Sequence, residues 1–247
     1  MSQPLLEIEK VSKRFGGIEA VGDVSFSVAP GEIVGLIGPN GAGKTTLFNL
    51  VSGLQRLSSG EIRFQGQRIS GRRPDQICRA GIGRTFQTTS LIAGMSAFDN
   101  VLLAARFRAR PAGGHGDARA ETLAALELCN LADRAAALSE ELTVSEQKRV
   151  EIARALATGP RLIMTDEVVA GLNGTETDEV LAILRRIAAT GISLVFVEHD
   201  MRAVMAVSQR LIVLARGRLL AEGPPAEVAK RPDVISVYLG HRYAERH

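Results

Sequence analysis

Residues 38–46 read GPNGAGKTT, and they stand between the apolar run EIVGLI and the segment TLFNLVSG. Glycines lack a Cβ, so the backbone of such a loop can fold tightly and point its N–H groups at an anion. The N-terminus of a following helix adds a favourable dipole for negative charge. A strand, this loop and a helix in that order predict a phosphate-binding P-loop. A glycine-rich turn without a ligand is the alternative, which the flanking elements disfavour.

The same loop carries two side chains with separate tasks. Lys44 can reach the β- and γ-phosphates of a nucleotide, and Thr45 offers a hydroxyl to Mg²⁺. We therefore predict that a nucleoside triphosphate binds here together with Mg²⁺. The residues predicted to contact it are Gly38, Pro39, Asn40, Gly41, Ala42, Gly43, Lys44, Thr45 and Thr46.

A pair of acids ends a second apolar run, LIMTDE at 162–167. At the C-terminal end of a strand beside the P-loop, Asp166 is expected to hold Mg²⁺, and Glu167 to orient and activate an attacking water. An aspartate that caps a helix without any metal is the alternative. The P-loop upstream favours the catalytic interpretation.

Two further polar side chains fit the same chemistry. His199 follows a third apolar run in VFVEHD, where an imidazole can hydrogen-bond a γ-phosphate. Gln87, in GRTFQTTS, can bind Mg²⁺ or the attacking water with its amide oxygen. A lone histidine is more often structural, but the acid pair one strand earlier favours a functional role for His199. No such role is expected for His115, His241 and His247.

The distribution of apolar runs predicts an α/β fold. The strand-like runs are LLEIEKV, EIVGLIG, RLIMTD, ISLVFVEHD and RLIVLARG, and helical patterns lie between them at 43–51, 176–189 and 201–208. Strands that alternate with helices indicate a largely parallel sheet. The runs at 32–38, 162–165 and 192–197 are continuously apolar, which is typical of strands that are covered on both faces.

The middle of the chain differs in composition from the rest. Residues 93–159 are rich in Ala, Leu and Arg and are broken by RPAGGHGD at 110–117. We predict an inserted helical lobe there. The α/β core would then comprise residues 1–92 and 160–247.

Composition excludes several classes of function. The net charge is only +3 and no stretch concentrates Lys and Arg, so a nucleic-acid partner is not expected. Cys78 and Cys129 belong to no CxxC or Cys/His cluster, so we expect reduced thiols and no metal bound by them.

Charges in MSQPLLEIEK come too early for a secretory signal, and no apolar run reaches the ~20 residues that span a bilayer. A membrane role would therefore require docking on a partner.

Five features stand in order along the chain: GPNGAGKTT, TFQ, LTVSEQKRVEIARAL, LIMTDE with AGLN, and VEHD. Together they resemble the ATP-binding subunit of ABC transporters over essentially the whole chain. The resemblance implies a P-loop NTPase (RecA-like) core with an N-terminal antiparallel β part and an inserted helical lobe. It also implies a Walker A loop at 38–46, a Q-loop at Gln87, a Walker B pair at Asp166 and Glu167, a D-loop at 170–173, a switch at His199 and an adenine-stacking aromatic ring at Phe15. For Phe15, a strand-end core residue is the alternative.

The resemblance further implies partners. ABC ATPases bind ATP with Mg²⁺, form a head-to-tail dimer with a second ATPase subunit of the same or a different chain, and drive transmembrane permease subunits from the cytoplasmic face of the membrane. The stretches RTFQ, MSAFDNVLLA, AGLN, VEHDMRAVM and PDVISVYLG are most similar to uptake systems for branched-chain amino acids and related solutes, which also use a solute-binding protein. A permease-docking groove is expected near Gln87, with core packing expected instead for at least half of its apolar residues: Leu91, Ile92, Met95 and Phe98.

One motif departs from the family pattern. Where the family has leucine-serine-glycine-glycine-glutamine, or in the branched-chain subgroup a variant that keeps the second glycine, this chain has Leu142, Thr143, Val144, Ser145 and Glu146. Thr143 and Glu146 form a capping-box pattern, so the helix start is expected to persist. The two missing glycines and the added negative charge are expected to impair the surface that closes on the partner's ATP.

A second departure follows the acid pair. Val168 stands where the family usually has proline, which leaves the backbone after Glu167 freer.

Three functions therefore compete. The leading one is the ATP-hydrolysing subunit of an importer. The second is a nucleotide-binding regulatory subunit with weak or no ATPase activity, which the altered signature favours and intact Glu167 and His199 disfavour. The third is an ABC protein that acts on DNA or ribosomes, and the near-neutral charge and the lack of a second ATPase half disfavour it.

Overall fold

The computed structural model describes residues 3–86, 91–108 and 116–239. Its strands are β1 (Leu6–Phe15), β2 (Ile18–Val28), β3 (Ile33–Ile37), β4 (Ser59–Phe64), β5 (Gln67–Arg68), β6 (Ile82–Arg84), β7 (Leu162–Asp166), β8 (Ser193–Val197), β9 (Arg210–Ala215) and β10 (Arg218–Gly223). Its α-helices are α1 (Lys44–Val51), α2 (Pro74–Ala80), α3 (Ala97–Arg106), α4 (Ala118–Leu128), α5 (Val144–Ala157), α6 (Gly174–Ala189), α7 (Met201–Val207), α8 (Pro225–Val228) and α9 (Pro232–Leu239).

The larger sheet has six strands in the order β10-β9-β3-β8-β7-β6. All neighbours from β9 to β6 are parallel, and β10 pairs antiparallel with β9. Every residue of β3, β7 and β8 is buried, as the continuously apolar runs predict. The predicted α/β fold with a mainly parallel sheet is therefore confirmed.

The second sheet is antiparallel and is built from the N-terminal part of the chain. Its strand order is β2-β1-β4-β5, with β1 paired to both β2 and β4. This confirms the antiparallel β part that the family resemblance implies. The run LLEIEKV indicated β1, but neither β2 nor β4 was predicted. Both alternate buried and exposed residues over part of their length, a weaker signal than a wholly apolar run.

The parallel sheet separates two hydrophobic clusters. Alternate residues of a strand point to opposite faces, so Val34 and Leu36 of β3 pack with the antiparallel sheet and α1. Ile33 and Ile37 face the other way and pack with α3, α5, α6 and α7. The helices between residues 97 and 157 therefore share one continuous core with a face of the sheet. The division of the chain at residues 92/93 and 159/160 stays a prediction.

No helix in the described ranges is long and apolar enough to cross a membrane.

Gly35 of β3 lies where α7 packs tightly on the sheet, and a substitution at Gly35 tests this packing. A Cβ at this position would lie 2.6 Å from Ser208 Oγ, 2.7 Å from Leu211 Cδ2 and 2.8 Å from Val204 Cγ1. We predict that Gly35→Ala lowers the free energy of unfolding by about 1–3 kcal/mol, because overpacking displaces neighbouring side chains. Urea denaturation measures the change. Gly17→Ala is the control, since a Cβ there meets no atom within 4 Å; equal stability losses would contradict the packing account.

Candidate functional site

The loop between β3 and α1 contains three glycines. Two of them lie where the loop packs against neighbouring backbone, and the third is favoured by its backbone conformation. A Cβ on Gly38 would lie 2.2 Å from the carbonyl oxygen of Leu214, and one on Gly43 would lie 2.5 Å from that of Ala20. These two glycines therefore let the loop pack closely on β9 and β2. A Cβ on Gly41 would meet no atom within 4 Å, so its left-handed backbone, with a φ of 77°, is what favours glycine there.

Lys44 is buried and folds back over the loop. Its Nζ donates hydrogen bonds to the carbonyl oxygens of Gly38 at 2.6 Å and Pro39 at 3.0 Å. Burial lowers the pKa of the ammonium group, while the negative charges of Glu167 and Asp166 oppose the shift. The loop thus holds a cation in place at the start of α1.

A cleft of about 740 Å³ opens over this loop. It brings together the predicted residues of three separate segments: the P-loop, the acid pair after β7 and the histidine after β8. Gly38, Pro39 and Phe15 do not line it, whereas Ala20 and Val197 do, although they were not predicted. The full lining is Ala20, Asn40, Gly41, Ala42, Gly43, Lys44, Thr45, Thr46, Asp166, Glu167, Val197 and His199.

Asp166 ends β7 as a buried carboxylate. Its backbone N–H donates to Thr85 Oγ1 at 3.2 Å, and its Oδ2 lies 3.7 Å from Nη2 of Arg84. Burial raises the pKa of Asp166, and the positive charge of Arg84 is the largest opposing influence. Oδ2 is buried and accepts no hydrogen bond from the described residues.

Arg84 is the unpredicted partner of this acid. Its Nη1 donates to Asn49 Oδ1 at 2.7 Å and to Ser52 Oγ at 2.8 Å, both on the P-loop helix or its C-cap. Its guanidinium lies 5.6 Å from the ring centre of Phe48 and 5.1 Å from that of Phe86. A charged residue in the otherwise apolar run GIGRTF is the signal that could have identified it.

Glu167 and His199 form a contact across the cleft. Oε1 of Glu167 lies 2.7 Å from Nε2 of His199. An ionised carboxylate can only accept, so Nε2 carries the proton in this pair. The backbone of Glu167 has a φ of 54°, a left-handed conformation that is uncommon for a residue with a side chain.

Two charged side chains that the sequence did not single out surround this acid. Nζ of Lys148, on α5, donates to the carbonyl oxygen of Glu167 at 2.8 Å. Glu198 is 2% exposed, and its Oε1 accepts from the backbone N–H of Val169 at 2.8 Å. Burial raises the pKa of Glu198 to about 7, with the positive charge of Lys148 acting against the shift.

Val168 is buried in the core beside this acid. That the missing proline leaves the backbone after Glu167 freer stays a prediction.

The altered signature segment starts α5, and the predicted capping box is present. The N–H of Glu146 donates to Thr143 Oγ1 at 3.2 Å, and the N–H of Thr143 donates to Glu146 Oε2 at 2.8 Å. Glu146 also accepts from Arg134 Nε at 2.8 Å, which lowers its pKa although its partial burial acts against this. The charge is therefore paired. Val144 is 57% exposed and Ser145 is buried. That this segment is impaired in closing on a partner's ATP stays a prediction.

The other predicted positions are placed as follows. Phe15 ends β1 and is 45% exposed, so its ring is accessible. Lys13 Nζ lies 4.9 Å from the centre of this ring. Gln87 lies outside the described residues, as do His115, His241 and His247. Leu91 and Phe98 are partly buried and pack against the core, which is the alternative given for at least half of the four apolar residues, and the docking groove itself stays a prediction.

A different groove of about 230 Å³ lies beside Phe86. Leu54, Ile77, Phe86 and Ala104 give it an apolar wall, and Arg84, Glu151 and Arg154 add charges. It sits between the P-loop helix α1, helix α2 and the lobe helices α3 and α5.

Comparison with known families decides the identity of this arrangement. A family model described as "ABC transporter" matches residues 21–170, which is more than half of the chain. The chain belongs to the ABC transporter family. A second model, described as "Branched-chain amino acid ATP-binding cassette transporter", matches residues 218–244 of this ABC subunit.

Curated relatives cover the whole length. The branched-chain amino acid transport ATP-binding protein BraF of Pseudomonas aeruginosa is 39% identical over 97% of this chain and 99% of its own. LivG of Escherichia coli K12, named for the same transport, is 40% identical with the same coverage. The lipopolysaccharide export ATP-binding protein LptB of Acidithiobacillus ferridurans is 36% identical over 97% of this chain and 98% of its own.

Solved structures agree with the fold. The ATP-binding cassette MJ1267 superposes with a TM-score of 0.88 at 29% identity and covers 97% of this chain and 100% of its own. Its ADP conformation gives 0.86 at 28% identity with the same coverage. This ABC subunit is therefore a nucleotide-binding, ATP-hydrolysing cassette.

Glu198 generates a pH-dependence that can be measured. Its pKa is about 7 in the folded protein against 4.5 in an exposed glutamate, so the folded state keeps a proton between these values. The stability that this proton contributes is fully present below pH 4.5 and is lost as the pH rises through 7, by up to about 3 kcal/mol. We predict that Glu198→Gln removes most of this loss, as urea denaturation from pH 5 to 8 will show.

Other charged groups surround Glu198 in both proteins, so the informative quantity is the difference between wild type and variant. Glu9→Gln is the matched control, because Glu9 is exposed. Parallel stability–pH curves for wild type and Glu198→Gln would contradict the shifted pKa.

Proposed function

We propose that this subunit powers the uptake of branched-chain amino acids or related small solutes by binding and hydrolysing ATP, with the named residues in the roles below. The convergence of Lys44, Asp166, Glu167 and His199 around one cleft is the observation that carries the proposal. The matching family models and the printed names of BraF and LivG support the choice of solute.

Binding rests on the loop at 38–46. The backbone amides at the start of α1 and the ammonium group of Lys44 attract the β- and γ-phosphates. Lys44 Nζ now bonds two carbonyl oxygens of its own loop, so turning toward a phosphate exchanges neutral acceptors for charged ones. Phe15 is accessible for stacking on the adenine ring.

Hydrolysis uses the acid that follows β7. Glu167 takes a proton from the attacking water, and His199 Nε2–H, 2.7 Å away, fixes the direction of the carboxylate. When the γ-phosphate is present, the imidazole is close enough to the same cleft to hydrogen-bond it. Gln87, which lies outside the described residues, is proposed to orient the water and the metal.

The residues present fit a magnesium ion that arrives with the nucleotide. Oδ2 of Asp166 is buried without a hydrogen bond from the described residues, and Thr45 lines the same cleft. In the parts of the chain that the structure describes, no group of three His, Cys, Asp or Glu side chains could hold a metal alone. Mg²⁺ characteristically takes one or two protein ligands plus phosphate oxygens. When bound, it neutralises charge that develops on the phosphates.

Coupling to transport needs partners. We assign the groove beside Phe86 as the docking site for a permease subunit, because it joins the lobe to the core next to Arg84, which contacts both α1 and Asp166. The subunit then works on the cytoplasmic face of the membrane, peripherally, with a solute-binding protein engaged only through the permease. The solved structure of another cassette, MJ0796, is dimeric. It superposes on this chain with a TM-score of 0.78 at 28% identity and covers 89% of this chain and 98% of its own.

The two ATP sites of such a dimer are unequal in this proposal. The site that uses this chain's P-loop, Glu167 and His199 turns over when a partner supplies an intact signature. The site that uses this chain's signature is slowed, because the exposed Val144 and the buried Ser145 replace glycines. Pairing with a different ATPase chain accommodates this asymmetry.

Glu167→Gln and Lys44→Ala separate hydrolysis from binding. We predict that Glu167→Gln keeps MgATP affinity within about threefold but lowers turnover by about 100-fold or more, since the proton acceptor is lost. Lys44→Ala is expected to weaken MgATP binding at least tenfold. Calorimetry and phosphate release measure the two quantities. Identical low turnover of wild type and Glu167→Gln, alone and with partner ATPase, would instead support the regulatory function.

Restoring the signature tests the asymmetry. We predict that the triple variant Val144→Gly, Ser145→Gly and Glu146→Gln raises the ATPase rate of the purified chain severalfold. We further predict that Val144→Gly alone raises the ATPase rate more than Glu146→Gln alone, because the Glu146 charge is already paired with Arg134. If the native chain turns over as fast as the restored one, the impairment hypothesis is wrong.

A further inference from the structure

The backbone of Glu167 is held in an uncommon conformation. Its φ of 54° places a residue with a long side chain in the left-handed region, which costs of order 1–3 kcal/mol unless the surroundings compensate. Its N–H donates to the Val197 carbonyl oxygen at 2.9 Å, and its carbonyl oxygen accepts from Ala170 N–H at 3.3 Å. The second of these bonds is long, so the turn after Glu167 depends on further contacts.

Lys148 supplies one of these contacts from the helical lobe. Its Nζ donates to the Glu167 carbonyl oxygen at 2.8 Å, a shorter bond than that of Ala170. The side chain is half-buried, and burial lowers its pKa while Glu198, Glu167 and Glu151 act in the opposite direction. An ammonium donor makes a stronger hydrogen bond to a carbonyl oxygen than a neutral donor does.

Glu198 holds the same turn from the other side. Its carboxylate is buried and accepts the Val169 N–H at 2.8 Å, two residues after Glu167. Val168, between these two residues, packs in the core. The turn is therefore bound by a lysine from α5 on one side and by an acid from the end of β8 on the other.

The position of Lys148 on α5 connects it to the signature segment. It lies four residues after Val144, which is about one helical turn or ~6 Å along the axis. The capping box and the Arg134–Glu146 ion pair make the first turn of α5 well ordered. Lys148 therefore lies on the same face of α5 as the exposed Val144, one turn further along the helix.

We propose that Lys148 is a positioning residue for ATP hydrolysis, which fixes the backbone of Glu167 from the helix that begins with the signature segment. This inference rests on the proposed function, because it assumes that Glu167 activates the water. It assigns α5 a role in this chain's own ATP site, in addition to any contact that the signature makes with the partner's nucleotide. That role does not depend on the glycines that the signature has lost.

The test compares Lys148→Met, Lys148→Arg and the control Lys230→Met in the purified full-length chain with MgATP, each introduced into the chain with the restored signature (Val144→Gly, Ser145→Gly and Glu146→Gln) so that turnover needs no partner ATPase. Met keeps the length of the side chain but cannot donate, whereas Arg can still donate to a carbonyl oxygen. We expect Lys148→Met to lower kcat about tenfold with unchanged KM and MgATP affinity, since loss of alignment affects the chemical step. Lys148→Arg should recover part of the lost rate, and Lys230→Met, at an exposed position, should equal the restored chain.

Hydrogen exchange supplies a readout that needs no turnover. Amides of residues 168–172 should exchange at least fivefold faster in Lys148→Met, with exchange elsewhere and the melting temperature unchanged. Unchanged kcat and unchanged exchange in Lys148→Met would overturn the inference, as would an arginine variant as slow as the methionine one. A wild-type chain that binds no MgATP would overturn the proposed function instead.

Discussion

The carboxyl ends of three buried parallel strands meet at one edge of the large sheet, and the site depends on this constraint. β8 lies between β3 and β7, so the P-loop, the acid pair and the histidine leave the sheet side by side. Parallel strands need crossover connections, and ligands of open α/β sheets bind beyond these carboxyl ends. Residues as far apart in the chain as Asn40 and His199 thereby line one cleft.

That edge of the sheet concentrates charge in a buried place, and the charges stabilise one another. Arg84 opposes the unfavourable burial of Asp166, and the backbone N–H groups of Val169 and His199 oppose that of Glu198 more strongly than Lys148 does. Removing Arg84 is costly because the buried charge of Asp166 is left uncompensated. These pairs also tie elements together: Arg84 connects β6 to the P-loop helix, and Lys148 connects the lobe to the turn after β7.

Where the chemistry needs one residue type at a fixed spacing, the sequence indicated residues that the fold brings to one cleft. Lys44, Asp166, Glu167 and His199 all reach the cleft. It did not identify Lys148 or Glu198, because a single charged residue on a helix or after a strand has no spacing that distinguishes a buried partner from a solvated one. It also assigned a single reason to the loop glycines, whereas Gly38 and Gly43 are required by packing against Leu214 and Ala20.

By itself the sequence determined the α/β class, the phosphate loop, the acid pair and the capped start of α5, since each rests on local periodicity or on short-range hydrogen bonding. Tertiary structure alone decided how charge is distributed. Glu146, which the sequence indicated as a repulsive charge, is paired with Arg134 from a preceding turn, and Leu91 and Phe98 turn inward while the accessible groove forms elsewhere. Burial and ion pairing depend on which distant segments come together, and no local pattern in a chain encodes that.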